Sequence, residues 1–227
     1  VDIKDGSLAA LASLNEPLRR RLYRYVAGQD APVSRDGAAA ALDVARSVAA
    51  FHLDKLADLG LLEVEYRRPP GRSGPGAGRP AKLYRRAAGE ISLSVPERHY
   101  DLAARLLARA VEDASDGSIS VADALGAAAR EEGRTIGGQV DRSEERSSPP
   151  IQQVAQLLSE HGYEPQVMDG TMTLANCPFH TLAQEHRELV CGMNHELIKG
   201  VVEAAGLPDS TARLDPAPGR CCVTLVA

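Results

Sequence analysis

Four cysteines carry the chemistry of this 227-residue chain: Cys177, Cys191, Cys221 and Cys222. Thirteen residues separate the first two, and twenty-nine separate Cys191 from Cys221. The first residues, Val1-Asp2-Ile3-Lys4-Asp5, contain no apolar signal-peptide core, and no apolar run reaches the roughly 18–20 residues that span a bilayer. A cytoplasmic chain is therefore expected, with its thiols reduced. Reduced thiols brought together from three chain segments favour zinc or an iron–sulfur cluster over a structural disulfide. Neighbouring Cys221 and Cys222 would point to opposite faces of a strand, so one of the two is expected at a shared centre.

Two ligand schemes follow. In one, Cys177, Cys191 and one of Cys221 and Cys222 hold an iron–sulfur cluster, 4Fe-4S or 2Fe-2S. Its remaining site then falls to a non-cysteine side chain such as His180 or Asn194, to water or to a small thiol. In the other, Cys177-x-x-His180 and Cys191, with His195 or a late cysteine, make a tetrahedral zinc site. A Cys177–His180 nucleophile pair would need a third, orienting group, and none is evident, so no enzyme is expected. Small buried thiols with no ligand role are the plain structural alternative. His186 shares a helical face with Leu182, Leu189 and Val190 and reads as a packing residue.

The elements that must position these cysteines form an α+β domain over residues 149–227. Ile151, Val154, Leu157 and Leu158 mark an amphipathic helix ending near Gly162. Tyr163–Val167 and Thr171–Leu174 read as strands joined at Asp169-Gly170, a hairpin signal. Cys177 follows the second strand. A helix from Leu182 is expected to break at Cys191-Gly192-Met193-Asn194 and to resume from His195 to Ala205. Strands near Thr211–Leu214 and Cys222–Val226 close the chain.

The rest of the chain has a different electrostatic character. The overall charge is −5, but residues 1–90 hold 15 Lys and Arg against 11 Asp and Glu, a net of +4, and residues 91–227 carry −9. Seven cations and no anion lie within residues 66–86: Arg67, Arg68, Arg72, Arg79, Lys82, Arg85 and Arg86. Such a stretch repels itself unless it meets a polyanion.

Residues 1–90 read as three helices and a hairpin. Asn15 caps a helix carrying Leu18, Leu22, Tyr25 and Val26. Ser34 caps a second from Arg35 to Leu42. Asp43 caps a third from Val44 to Leu59, with Val44, Val48, Phe51, Leu56 and Leu59 near its apolar face. Strands Leu61–Tyr66 and Ala81–Arg85 flank a Pro/Gly/Arg loop. This order is that of a winged helix-turn-helix, whose third helix enters a major groove of double-stranded DNA. Arg46, Ser47, Ala50 and Asp54 face away from the expected apolar stripe, with His52 and Lys55 on its flanks. The candidate DNA contacts are thus Arg46, Ser47, Ala50, His52 and Lys55 on the helix, and Arg67, Arg68, Arg79 and Lys82 on the wing. Residues 91–148 read as two helices whose stripes, led by Leu102, Leu106 and Ala110, exceed what so short a span can bury. A homodimer interface is the expected solution, because DNA readers of this shape meet paired half-sites.

Ser47-Val48-Ala49-Ala50-Phe51-His52-Leu53-Asp54-Lys55-Leu56, Gly60-Leu61-Leu62 and Gly78-Arg79-Pro80-Ala81-Lys82-Leu83-Tyr84 resemble winged-helix regulators of the ArsR/DeoR type. With Asn176-Cys177-Pro178-Phe179-His180 and Leu189-Val190-Cys191-Gly192-Met193-Asn194, the chain resembles the SufR-like iron–sulfur regulators over nearly its whole length. The resemblance implies a homodimeric repressor of iron–sulfur cluster assembly genes, with a cluster held by Cys177, Cys191 and one of the late pair. It also departs from a form of that family with Cys-x-x-Cys at the second segment, since Asn194 stands at the later position.

Overall fold

The computed structural model describes residues 5–67, 80–139, 150–207 and 212–226. It divides into two compact units, Ile3–Leu93 and Ser94–Ala227, each with its own hydrophobic core.

The first unit begins with α1 (Asp5–Ser13) and α2 (Pro17–Ala27). Glu16, not the expected Asn15, caps α2: its carboxylate accepts from the backbone N–H of Leu18 at 3.0 Å and Arg19 at 2.5 Å. Pro17, which has no N–H to satisfy, fits the first helical position. After the short β1 (Val33–Ser34), Ser34 caps α3 (Arg35–Leu42), its Oγ accepting from Gly37 at 3.0 Å. Asp43 does not start the next helix as expected. It closes α3 in the left-handed conformation (φ 52°), a geometry that Asp tolerates better than most residues, and α4 (Arg46–Asp58) begins three residues later.

Beyond α4 the chain turns into β2 (Leu62–Arg67) and β3 (Ala81–Arg86), an antiparallel pair. β1 pairs with the other edge of β3, giving the order β1-β3-β2. Leu22, Val26, Ala38, Leu53, Leu56 and Tyr84 are buried between helices and sheet. Arg68, Arg72 and Arg79 lie outside the described residues.

The second unit carries α5 (Tyr100–Asp113), α6 (Val121–Gly137), α7 (Pro150–Glu160), β4 (Pro165–Met168), β5 (Thr171–Leu174), α8 (His180–Glu185), α9 (Arg187–Ala204), β6 (Ala212–Leu214) and β7 (Val223–Val226). The four strands make an antiparallel sheet in the order β4-β5-β7-β6. The β4–β5 hairpin turns at Asp169 (φ 49°) and Gly170 (φ 74°). Two successive left-handed residues match the right-handed twist of the strands, and the second position suits a residue without Cβ.

Here the structure departs from the division at residue 148. Leu102, Leu106 and Ala110 of α5 and Leu125, Ala128 and Ala129 of α6 lie in one core with Val154, Leu158, Ile198 and Leu225. Their stripes are buried within the chain, so the need to bury them does not call for a partner. What makes this possible is a close approach of α6 to α9. Gly133 and Gly200 have no side chain where one would collide with the carbonyls of Leu197 and Arg130. Arg130 then pairs with Glu196 (3.1 Å) and Glu203 across the same two helices.

The expected helix break also moves. The interruption falls at His186, between α8 and α9, and Cys191-Gly192-Met193-Asn194 lies inside continuous helix. His186 itself is exposed, not packed in the core. Among the described residues, no helix is long and apolar enough to cross a membrane.

Candidate functional site

Three segments of the second unit deliver its thiols to one place. Cys177 sits in the loop between β5 and α8, and that loop is held from both sides. Buried Asn176 donates through Nδ2 to the carbonyls of Gly162 (2.5 Å) and Glu97 (3.1 Å), while its Oδ1 accepts from Arg98. Arg98 also donates to the Cys177 carbonyl at 3.0 Å, and the His99 N–H to the Pro178 carbonyl at 3.1 Å. Cys191 lies in the second turn of α9. Cys221 and Cys222 precede β7, where the Cys221 N–H donates to Leu174 at the end of β5 and the Cys222 carbonyl accepts from Asp215, both at 2.8 Å. Backbone hydrogen bonds therefore fix two of the three segments to their neighbours before any ligand is considered.

All four cysteines line a single cavity of about 400 Å³, together with His180, Gln184, Arg187 and the 216–220 turn. None is in a disulfide. The expectation that only one of Cys221 and Cys222 faces this space does not hold. Both residues come before the strand begins, so strand alternation does not separate them.

The sulfurs form a connected set centred on Cys221. The Cys177 and Cys222 thiols both interact with it, and Cys222 in turn approaches Cys191. Donation from Cys177 and then Cys222 holds the Cys221 thiol well below the ordinary thiol range. The Cys177 and Cys222 thiols, by donating to Cys221 and by being buried, are pushed well above it. One charge shared by several sulfurs is the form in which a buried thiol group is least costly to ionise.

Asn194 takes a role different from the ligand role expected of it. Its Oδ1 accepts from the buried Tyr163 hydroxyl at 2.5 Å, and its Nδ2 donates to Cys221 Sγ at 3.1 Å. Both ends of the amide are occupied, and the end facing the cysteines is a donor. Burial also keeps the Tyr163 hydroxyl protonated, its pKa raised well above the ordinary phenol value. His180 faces the cavity, but its Nε2 lies 3.0 Å from Gln184 Nε2. His195 is placed elsewhere, 3.3 Å from the Ala212 carbonyl and 3.7 Å from Glu196, so the zinc scheme that needs it is not assembled. The sulfur of Cys177 meets Cys221.

Among the described residues, no group of three or more His, Cys, Asp and Glu side chains gathers at the spacing of a single metal ion. The donor set is instead four thiols distributed around a cavity. All-thiolate ligation serves both tetrahedral zinc and iron–sulfur clusters, and four thiols spread around a cavity suit the larger group.

The first unit places its candidate DNA contacts unevenly. Ala49, Leu53 and Leu56 are the buried positions of α4, so its core-facing stripe is rotated from the one expected and Val48 and Phe51 face outward. Arg46, Ser47 and Lys55 are exposed, and Arg46 meets Asp36 at 2.5 Å. Ala50 and His52 are half-buried, with His52 Nδ1 3.5 Å from Glu16. Asp54 does not face solvent as an outward residue. It accepts from Lys82 Nζ (2.5 Å), the Tyr84 hydroxyl (2.5 Å) and Arg35 Nη2 (2.8 Å), tying α3, α4 and β3 together.

Lys82 therefore serves the fold at this junction. Arg67 is exposed beside Glu65 (2.8 Å), and Arg85 beside Glu63 (2.7 Å). Three of the seven cations thus have carboxylates from neighbouring positions, which relieves the repulsion expected between them.

Residues 14–65 match the family model of a helix-turn-helix domain, from the approach to α2 through most of β2. No curated protein and no solved structure matches the chain. The matched segment, the α3–α4 pair and the β2–β3 hairpin agree, and they support a DNA-binding transcription regulator.

Proposed function

We propose that this regulator senses an iron–sulfur cluster through its second unit and, as a homodimer, represses genes for cluster assembly. The observation that carries the reading is the convergence of Cys177, Cys191, Cys221 and Cys222 from three segments on one cavity. A 4Fe-4S cluster is the group proposed, held by Cys177, Cys191 and the Cys221–Cys222 pair. When bound, it supplies iron–thiolate bonds that cross-link the three segments and that oxidants break. The chain contributes the rest: Asn176 and Arg98 hold the Cys177 loop, α9 presents Cys191 from rigid helix, and Asn194 directs an N–H at the Cys221 sulfur. An ordered second unit then sets the spacing of two α4 helices on paired half-sites.

The test starts from protein purified without oxygen and reconstituted with iron and sulfide. Visible absorption with four irons and four sulfides per chain is expected, and two chains per duplex by light scattering. A duplex selected from a random library should bind the loaded form about a hundredfold more tightly than the apo form, a coupling of ~2–3 kcal/mol. Equal affinities would refute cluster control. Colourless protein with one zinc per chain would refute the cluster itself.

A further inference from the structure

The exposed face of α4 is centred on an aromatic ring. Phe51 is 64% exposed and Val48 39%. With Ala49, Leu53 and Leu56 buried, helical geometry puts Phe51 opposite the core, one turn after Ser47 and one turn before Lys55. Its ring approaches that of His52 edge-on, with centroids 5.2 Å apart. A phenyl group held in water at the middle of a helix is unfavourable, and none of the described residues of the first unit covers this one.

The surroundings select the partner. Lys55 is exposed on the same helix, with Arg46 beside Asp36 and, at the end of β2, Arg67 beside Glu65, while the carboxylate of the helix centre, Asp54, is drawn aside by Arg35, Lys82 and Tyr84. A polyanion is favoured there, and it must also offer an apolar group to the ring. The major groove of DNA offers one: the C5-methyl of thymine.

We propose that Phe51, with Val48 beside it, is a specificity-determining contact that packs against thymine methyl groups and selects T at the position where the middle of α4 meets the groove. This inference rests on the DNA-binding reading of the first unit. It is independent of the cluster.

The experiment separates the two. The full chain is used to select bound sequences from a random duplex library. Each thymine of the selected site is then replaced by uracil, which removes only the methyl. Wild type should lose about fourfold in affinity at one or two positions per reading helix, the worth of one buried methyl. Phe51→Ala should lose the same thymine preference in its own selection and be indifferent to uracil there. Its melting temperature should be unchanged, because the ring is exposed.

Failure to select any duplex would overturn the DNA-binding reading, and this contact with it. Selection that succeeds, with wild type indifferent to uracil throughout or Phe51→Ala keeping the full penalty, would overturn the contact alone. Loss of self-association in Phe51→Ala with no uracil effect would also overturn it, assigning the ring to a protein surface.

Discussion

Asn194 joins a phenol and a cysteine sulfur in the interior, and it does so with an amide that has one suitable end for each. It is 1% exposed, so neither of its partners can turn to water if it is removed. Asn194→Ala should leave the Tyr163 hydroxyl without an acceptor and Cys221 without its N–H donor. Unfolding in denaturant should show a loss of about 2 kcal/mol, within the range for a buried polar group stripped of its partner. Asn194→Ser, too short to span both, should recover little of it.

The convergence of the cysteines was legible in the sequence, because the expected elements already bring three segments to one place. The role of Asn194 was not, because it depends on Tyr163, thirty-one residues earlier and brought near only by packing. The late pair was misread for a related reason. Alternation is a property of strand, and β7 starts two residues too late to impose it on the pair.

Asp54 shows how a single carboxylate holds elements together. Burial alone would raise its pKa, but hydrogen bonds from Lys82, Tyr84 and Arg35 more than reverse this and leave it below the usual value. Its folded pKa is therefore lower than its unfolded one, near 3.9, so the stability it contributes is present above about pH 4 and is lost as pH falls through the folded value. Asp54→Ala should lower the stability of the first unit by about 1–2 kcal/mol at pH 7, a modest figure because the group is partly exposed. The difference from wild type should narrow in denaturation experiments below pH 4.

The α6–α9 pair makes the complementary case. Gly200→Ala adds a methyl against the Arg130 carbonyl, and the helices must part to admit it. Although alanine is the better helix former by about 1 kcal/mol, a net loss of about 2 kcal/mol is expected by denaturation. The helix start at Ser34 and the Asp169-Gly170 hairpin were readable locally, since each is decided within four residues. The α4 face was not. Its moderately apolar Val48 and Phe51 fit a stripe as well as Ala49 and Leu53 do, and only the packing of α2 and the sheet decides between them.

Two separate cores imply two separable stabilities. Asp54→Ala should shift one unfolding transition and Gly200→Ala the other, and coincident shifts would mean that the units unfold as one. That independence sharpens the sensing proposal, because a site in one unit can govern DNA held by the other only through a coupling free energy between them. Coupling of this kind is reciprocal. If loading both cysteine sites of a dimer tightens duplex binding about a hundredfold, then saturating duplex must tighten retention of the two loaded groups by that factor together, about tenfold for each. The measurement is an equilibrium titration of loaded protein with an iron chelator, followed by visible absorption, with and without the selected duplex. The midpoint should move to higher free chelator when duplex is present. A midpoint that does not move would show that the thiol cavity and α4 act independently, whatever group the thiols hold.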